Sequence, residues 1–418
     1  MLWSRLRTRS APVLSVPRRP GYAPWAVAAV WFVTRLWLVP AALKLPTFTG
    51  GGSLDPSVDR MYRGWYAVLS SGTFPVNDVS WQYPPGAALP ILAPGLVPVL
   101  DYGQAFIVTS ALCDALITVG LLYAAVRHGR PFAGVWLWTV AMAVLSTLPW
   151  NRFDLQVTAV AMAALAAAAS RRVWADRVFG ALIALGALIK VWPVLLLVGT
   201  ERGRRTRVAW LSMAVAGGAL VAGFALAVPH ALGFLTAQRS RGVQIESVGA
   251  LPFHVARHFG WSGTWAAKDG SHEFVGPYVG LVSVVMQGLT VLAFGWLLWW
   301  RWRSVRTAPW MLADAALTAV LLFVVTSRVI SPQYLVWLVG LAAVCLLRRE
   351  TSQRPVAWLL LAACLFTTLG FPLLYRELRD NGDPLAVANL FARDLLLVGA
   401  AALSAVRLWR AGVPARQP

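Results

Sequence analysis

The chain has 418 residues, 58% of them hydrophobic and only 13% charged, with a formal net charge of +20. A soluble domain carries about a quarter charged residues, whereas this chain is largely made of apolar runs of roughly the 17–25 residues that a bilayer crossing needs. That excludes a soluble multi-domain protein and predicts a single all-α, polytopic integral membrane domain. The excess positive charge does not mark a nucleic-acid binder. It falls in short clusters between apolar runs, at Arg5 to Arg19, Arg127–Arg130, Arg171–Arg177, Arg202–Arg207, Arg301–Arg306, Arg348–Arg354 and Arg407–Arg410. This is the pattern of cytoplasmic loops facing anionic lipid headgroups.

A basic cytoplasmic tail, residues 1–24, leads into the apolar run Trp25–Lys44, which is long for a signal-peptide core and reads as a retained first span. Residues 45–104 then form a long extracytoplasmic loop in which the proline-bounded stretch Gly86–Leu100 reads as an interfacial or re-entrant helix. Counting that stretch as a span would push the Arg127 cluster outside. Ala105–Val126 returns inside, a third span ends at Pro149, and the tight turn Trp150–Asp154 lies outside before a fourth span returns. The segment Val178 to Thr200 is long enough to cross once, yet basic clusters flank both of its ends, and it carries Lys190, Trp192 and Pro193 in its middle. A broken helical hairpin with Lys190 near its tip fits both observations, because irregular backbone survives at membrane depth where it lines a cavity. The alternative is a single span that forces one basic loop outside. Val208–Val228 goes out to a second extracytoplasmic loop, residues 229–276. Tyr278–Trp300 returns, and two more pairs of spans bring the chain to Arg407. The domain, residues 25–408, thus has about ten spans plus the hairpin, followed by a polar, unstructured cytoplasmic tail at 409–418. The prediction is a multi-pass plasma-membrane protein with both termini cytoplasmic. No internal repeat of the kind found in many secondary transporters is visible.

Threaded this way, most carboxylates collect on the outer face, as do Lys190, Arg239, Arg241, His254 and Arg328. In the first loop, Asp59 and Tyr62 are three apart and would share one face of a short helix. A carboxylate held there can act as general base on a hydroxyl, with Asp55 and Asp78 as rivals. The plainer reading is an N-cap at Asp55 and a solvated acid at Asp59. The element Tyr83-Pro84-Pro85-Gly86 is rigid and would fix the loop. In the second loop, Gln238-Arg239-Ser240-Arg241-Gly242-Val243-Gln244-Ile245-Glu246-Ser247 has the composition of a phosphate clamp, since arginine presents a planar fork of donors and glycine permits close backbone approach. An exposed polar loop is the alternative. Lys190 adds a cation at the broken-helix tip, where it would face a cavity rather than lipid. Asp114, Asp314 and Asp394 fall within or near spans, where pairing with a cation such as Arg35 weighs equally with a functional role. Cys113, Cys345 and Cys364 lie in apolar runs without ligand spacing and read as packing residues.

The ordered set Asp59, Tyr62, Gly72, Pro75, Asp78, Tyr83-Pro84-Pro85-Gly86, Arg152–Asp154, Lys190-Val191-Trp192-Pro193, Arg241 to Ser247 and Ser327 with Ser331-Pro332-Gln333-Tyr334 resembles the family-87 glycosyltransferases of actinobacteria. The resemblance covers roughly residues 30–340. It implies a GT-C fold, a polyprenyl-monophosphate sugar donor, an extracytoplasmic active site, and inverting transfer to a glycolipid or cell-envelope glycan, as in mannosyltransferases that extend phosphatidylinositol mannosides. By motif position the family's first-loop catalytic acid falls on Asp59. Arg241, Lys190, Arg239 and His254 would then hold the donor phosphate, Gln244 and Glu246 would orient sugar hydroxyls, and Tyr62, Tyr83, Arg152, Asp154, Arg328 and Gln333 would complete the substrate site. No cofactor and no metal ion is expected. An arabinofuranosyltransferase using the matching lipid-linked donor, a lipid or lipid-linked-sugar transporter, and a non-catalytic assembly partner are the other readings.

Overall fold

The computed structural model describes residues 23–49, 52–75, 78, 81–170, 172–228, 231–234, 242–268, 270–305 and 308–414. Most of the chain is helical. The principal helices are α1 (Ala23–Ala42), α2 (Tyr102–Arg127), α3 (Ala133–Val144), α4 (Asp154–Ala168), α5 (Ala175–Ile189), α6 (Arg204–Ala227), α7 (Val279–Arg303), α8 (Met311–Thr326), α9 (Tyr334–Leu346), α10 (Arg354–Thr368) and α11 (Pro384–Gly412). Among the described residues six helices are long and apolar enough to cross a membrane: α1, α2, α6, α7, α10 continued to Leu373, and α11. These account for six of the about ten expected spans. The other four segments, α3, α4, α8 and α9, are apolar but shorter. The 13 residues of α9 rise only about 20 Å, against a hydrocarbon core of about 30 Å. Three of these short helices, α3, α4 and α9, begin or end at the charged site described below.

The broken hairpin is present. Helix α5 stops at Ile189, Lys190 takes extended backbone, and Trp192–Gly199 continues as a 3-10 helix. Pro193 cannot continue an α-helix, having no N–H and a ring that collides with the preceding turn. Asp176 at the start of α5 and Gly199 at the end of the return arm line one cavity, so the segment enters and leaves at the same end of the bundle.

The basic clusters gather at that end. Arg202 donates to the Arg301 carbonyl, Arg301 to the Val198 and Thr200 carbonyls, Arg407 to the Ser352 carbonyl, and Arg205 pairs with Asp176. The last helix runs to Gly412, so residues 409–412, expected to be unstructured tail, extend α11 instead.

At the opposite end the two long loops are folded. The first contains a π-helical turn, Ser57–Tyr62, running into a helix at Arg63–Ser70, then the short helical stretch Pro85–Leu96 at the position expected for an interfacial helix. The second forms the one departure from all-helical structure among the described residues. It is a small antiparallel sheet of β1 (Val243–Gln244), β2 (Thr264–Lys268) and β3 (Ser271–Val275), in the order β1-β3-β2. Its register sets Gln244 opposite Glu273.

Within the bundle, Asp114 accepts bonds from Arg35 at 2.9 Å, Trp31 at 3.1 Å and Trp138 at 2.8 Å. That pairing fastens α1 to α2 and α3 and makes Asp114 a structural acid. Asp314 likewise accepts from Thr351 and from the amide and hydroxyl of Ser352, holding the turn before α10.

The glycine of Tyr83-Pro84-Pro85-Gly86 has a steric cause. A Cβ on Gly86 would stand 2.7 Å from the Leu188 carbonyl oxygen, at the end of the hairpin's first arm. Gly86→Ala must therefore push the loop off the hairpin, at a cost of about 1–3 kcal/mol. Gly64→Ala, where nothing lies within 4 Å, serves as control. The expected result is a lowered unfolding temperature in detergent for the first variant alone.

Candidate active site

The turn between α3 and α4 carries the centre of the site. Leu148–Asn151 forms a 3-10 turn, Arg152 is extended, and Asp154 opens α4. In that first-turn position the Asp154 carboxylate is favoured by the helix dipole. Arg152 and Asp154 thus lie two residues apart, and each meets an opposite charge from elsewhere in the chain.

Arg152 Nη1 donates to Asp55 Oδ1 at 2.9 Å, and the same oxygen accepts the Ser57 amide at 2.9 Å. Burial alone would raise the Asp55 carboxyl. The Arg152 guanidinium and the Ser57 N–H outweigh it and hold the group below its ordinary value, as a carboxylate. Its side chain remains 22% exposed, and no hydrogen bond to Oδ2 occurs among the described residues. Burial opposes the charge on Arg152, but Asp55, Tyr62 and Asp154 more than compensate, so the guanidinium stays protonated. Tyr62 is buried and packs on Phe106 and Phe153, closing the site on the first-loop side.

Lys190 Nζ donates to Asp154 Oδ1 at 2.7 Å, and Trp337 Nε1 donates to the same oxygen at 2.6 Å. The ammonium lies 4.7–5.8 Å from the ring centroids of Phe153, Trp337, Tyr83 and Tyr334, an arrangement that favours a cation. Trp337 stacks between Tyr334 and Trp192, which joins the hairpin tip to the start of α9. Lys190 was expected to offer an open cation to phosphate. It is instead buried and bound to Asp154, so it organises the turn rather than presenting a free charge. Asp154 Oδ2 is buried without a hydrogen-bond partner.

The second loop supplies Glu246 and Gln244, both buried. Gln244 Nε2 donates to Glu246 Oε2 at 3.3 Å, its amide donates to the Arg328 carbonyl, and Arg328 itself donates to Ser283. Arg393, on α11, stands 3.6 Å from Glu246 Oε1, donates to the Glu246 carbonyl, and pairs with Asp394 at 2.8 Å. Arg152 also lowers the Glu246 carboxyl, so the two loops face a common region.

Burial nevertheless raises Glu246 to about 7 against Arg393 and Arg152, with Asp394 adding to the rise. Because the folded value lies above the ordinary carboxyl value, the folded state binds the proton more tightly than the unfolded chain does. Stability therefore falls as pH rises from about 4.5 through about 7, by roughly 3 kcal/mol in all. Melting curves at pH 5 and pH 8 should show this loss in the unsubstituted protein, and Glu246→Gln should remove most of it. Equal slopes in both proteins would reject the assignment.

The remaining expected residues divide clearly. Asp59 and Tyr62 do not share a face, because the first loop winds as a π-helix, whose wider turn carries position i+3 less far round than in an α-helix and so leaves it further from position i. Asp59 is 37% exposed and faces Arg63 at 3.4 Å. Asp78 accepts from Trp65 Nε1 at 2.7 Å. Among the described residues Asp59 makes no hydrogen bond to Arg152. His254, expected as a cation, is buried with Nε2 2.7 Å from the Ile245 carbonyl. Burial lowers it to about 4, so it is neutral at pH 7 and pins the β1 turn. Tyr83 leans over Lys190, and Gln333 is half-buried at the N-cap position of α9. The Gly242 amide, expected to permit close approach in a phosphate clamp, donates to Glu273 Oε2 at 2.8 Å. Arg239 and Arg241 lie outside the described residues. Arg393, Trp337, Phe153 and Tyr334 had no assigned role as site residues. For Arg393 the available signal was an arginine inside an apolar run, which marks function or pairing by default. Among the described residues no three His, Cys, Asp or Glu side chains gather closely enough to hold a metal ion.

A polytopic helical bundle with a compact set of paired charges at one end defines an integral membrane protein. The family model described as Glycosyltransferase family 87 matches residues 81–332, more than half of the chain, and the protein belongs to that family. It is a membrane glycosyltransferase. No curated protein and no solved structure matches it.

Proposed function

We propose that this protein transfers a sugar, mannose foremost, from a polyprenyl monophosphate to a glycolipid or cell-envelope glycan with inversion at the anomeric carbon, and that Asp55 is the general base. The observation that carries this reading is the Asp55–Arg152 pair, an ionised and partly exposed carboxylate with one oxygen uncommitted, beside a buried arginine. The acceptor hydroxyl gives its proton to Asp55 as its oxygen bonds to C1 of the sugar. The C1–O bond to phosphate breaks, and the electron pair leaves with the polyprenyl phosphate. Arg241 and Arg239 serve as the phosphate clamp on the strength of their sequence context, while Arg152 and Arg393 add positive charge facing Glu246. Glu246 and Gln244 orient sugar hydroxyls, and Lys190 with Asp154 holds the turn that presents Arg152.

The basic clusters at the opposite end support a cytoplasmic placement of that end and of both termini, in the plasma membrane, by the positive-inside rule. The site then faces outward, where a lipid-linked rather than a nucleotide-linked sugar is available. The test uses purified protein in detergent with radiolabelled polyprenyl-phosphate-mannose and a lipid extract as acceptor. Labelled glycolipid of inverted configuration is the expected product. Transfer only from the arabinose donor would change the sugar and keep the donor class. Transfer only from a nucleotide sugar would overturn the reading.

A further inference from the structure

A large cavity lies away from the charged site. It lies at the basic end of the bundle, measures about 730 Å³, and is framed by α2, α4, α5, α6, α8 and α9. Its inner part is apolar, with Ile117, Leu121, Leu165 and Phe179 among the side chains that form it. Helix α4 reads Asp154-Leu-Gln-Val-Thr-Ala-Val-Ala-Met-Ala-Ala-Leu-Ala-Ala-Ala, and its alanines leave room where larger side chains would fill the groove. Leu116, Ala163 and Ala166 line the cavity while remaining exposed on the surface of the bundle. The groove therefore opens sideways, on faces that contact lipid in a membrane.

Its rim carries Arg130, Arg205 and Arg348 against Asp176 and Glu201, a net positive charge. Arg130, just past α2, and Arg348, just past α9, both line it. Burial and the like charge of Arg348 together lower the Arg130 guanidinium. Among the described residues neither side chain has a hydrogen bond or a carboxylate partner. Arg205, also on the rim, is taken by Asp176. The hydroxyl of Thr206, another lining residue, is buried and has no partner. Two neighbouring arginines without a counter-charge, set over an apolar slot that opens to the bilayer, match a molecule with a phosphate at one end and a hydrocarbon chain at the other.

We propose that this groove binds an anionic membrane phospholipid, with its phosphate between Arg130 and Arg348 and an acyl chain lying along α4. The bound lipid is not the sugar donor or acceptor. Helix α2, 26 residues long, separates the two ends of the bundle by about 39 Å, so a headgroup at Arg130 lies in the other leaflet from Asp55 and Arg152. This inference is independent of which sugar is transferred.

Native mass spectrometry of the detergent-purified protein, titrated with phosphatidylglycerol and with phosphatidylcholine of the same chains, tests the proposal. The unsubstituted protein should retain the anionic lipid at least about tenfold better, because two basic side chains contribute to headgroup binding. The Arg130→Gln/Arg348→Gln double variant should lose that preference. Arg354→Gln, which removes another arginine of the same end that does not line the cavity, should keep it. Ala163→Trp should fill the apolar slot and reduce retention of both lipids. Phosphatidylglycerol should also raise the unfolding temperature of the unsubstituted protein and not that of the double variant, since a ligand stabilises only the state that binds it. Equal retention of the two lipids by the unsubstituted protein, or a preference undiminished in the double variant, would overturn the proposal. So would displacement of the lipid by millimolar inorganic phosphate, which would mark a free-anion site.

Discussion

Asp55→Asn is expected to reduce sugar transfer by about 10²–10⁴-fold, the usual contribution of a positioned general base, while Asp59→Asn stays within a few-fold of the unsubstituted enzyme. The two acids lie four residues apart in one loop, but their surroundings differ. Asp55 is held as a carboxylate by Arg152 and the Ser57 amide and keeps Oδ2 uncommitted. Asp59 faces Arg63 on the outer side of the π turn. Asparagine keeps the shape of the side chain and can still accept the Ser57 amide bond, so the loss should fall on kcat with little change in KM. The loss should also persist at temperatures well below the unfolding midpoint of the variant. If Asp59→Asn is the inactive variant and Asp55→Asn retains transfer, the base is Asp59, as its motif position implies, and the Asp55–Arg152 pair is structural.

The second large effect concerns stability. Asp154→Ala removes the acceptor shared by Lys190 and Trp337 and leaves an ammonium among four aromatic rings without a counter-charge. Breaking a buried pair from one side costs about 3–5 kcal/mol. Replacing both charges by apolar residues of similar size, as in Asp154→Leu/Lys190→Met, should recover most of that loss, because the penalty comes from the isolated charge and not from the missing bond. Thermal unfolding of the two variants in one detergent measures this. A double variant as unstable as the single one, or a single variant with an unchanged midpoint, would show that the pair does not hold the hairpin tip to the turn. Activity should remain low in the double variant even where the fold is recovered, since the turn that carries Arg152 loses its anchor.

Much of the architecture was legible because a bilayer restricts the alternatives. Apolar run length located the spans, and the basic clusters located one end of the bundle. Together they favoured a hairpin over a single span at Val178 to Thr200, where the helix breaks at Lys190 and returns through Trp192–Gly199. Run length could not fix where each helix ends, and α3, α4 and α9 are shorter than the apolar runs that contain them. The small sheet in the second loop was legible only in part. Asp269-Gly270 between β2 and β3 is a local hairpin signal, but β1 has only two residues and joins the sheet through Glu273 meeting Gly242 and Gln244.

The site itself was only partly legible. Its residue types and the turn Arg152–Asp154 stand out in an apolar chain because isolated charges there are costly, so the sequence by itself determined which side chains matter and at which end they collect. It did not single out Arg393, Trp337 or Phe153, and it could not determine which charges meet. Lys190 is an unpaired cation in the sequence and a bound partner of Asp154 in the structure, and Arg393 reaches Glu246 across 147 positions. The protonation of His254 and Glu246 likewise follows from burial by segments far along the chain. Local pattern sets periodicity and hydropathy. Pairing, burial and the resulting charge state arise only when distant segments pack together, and at this site tertiary packing sets Asp55 against Arg152 and leaves Asp59 facing Arg63.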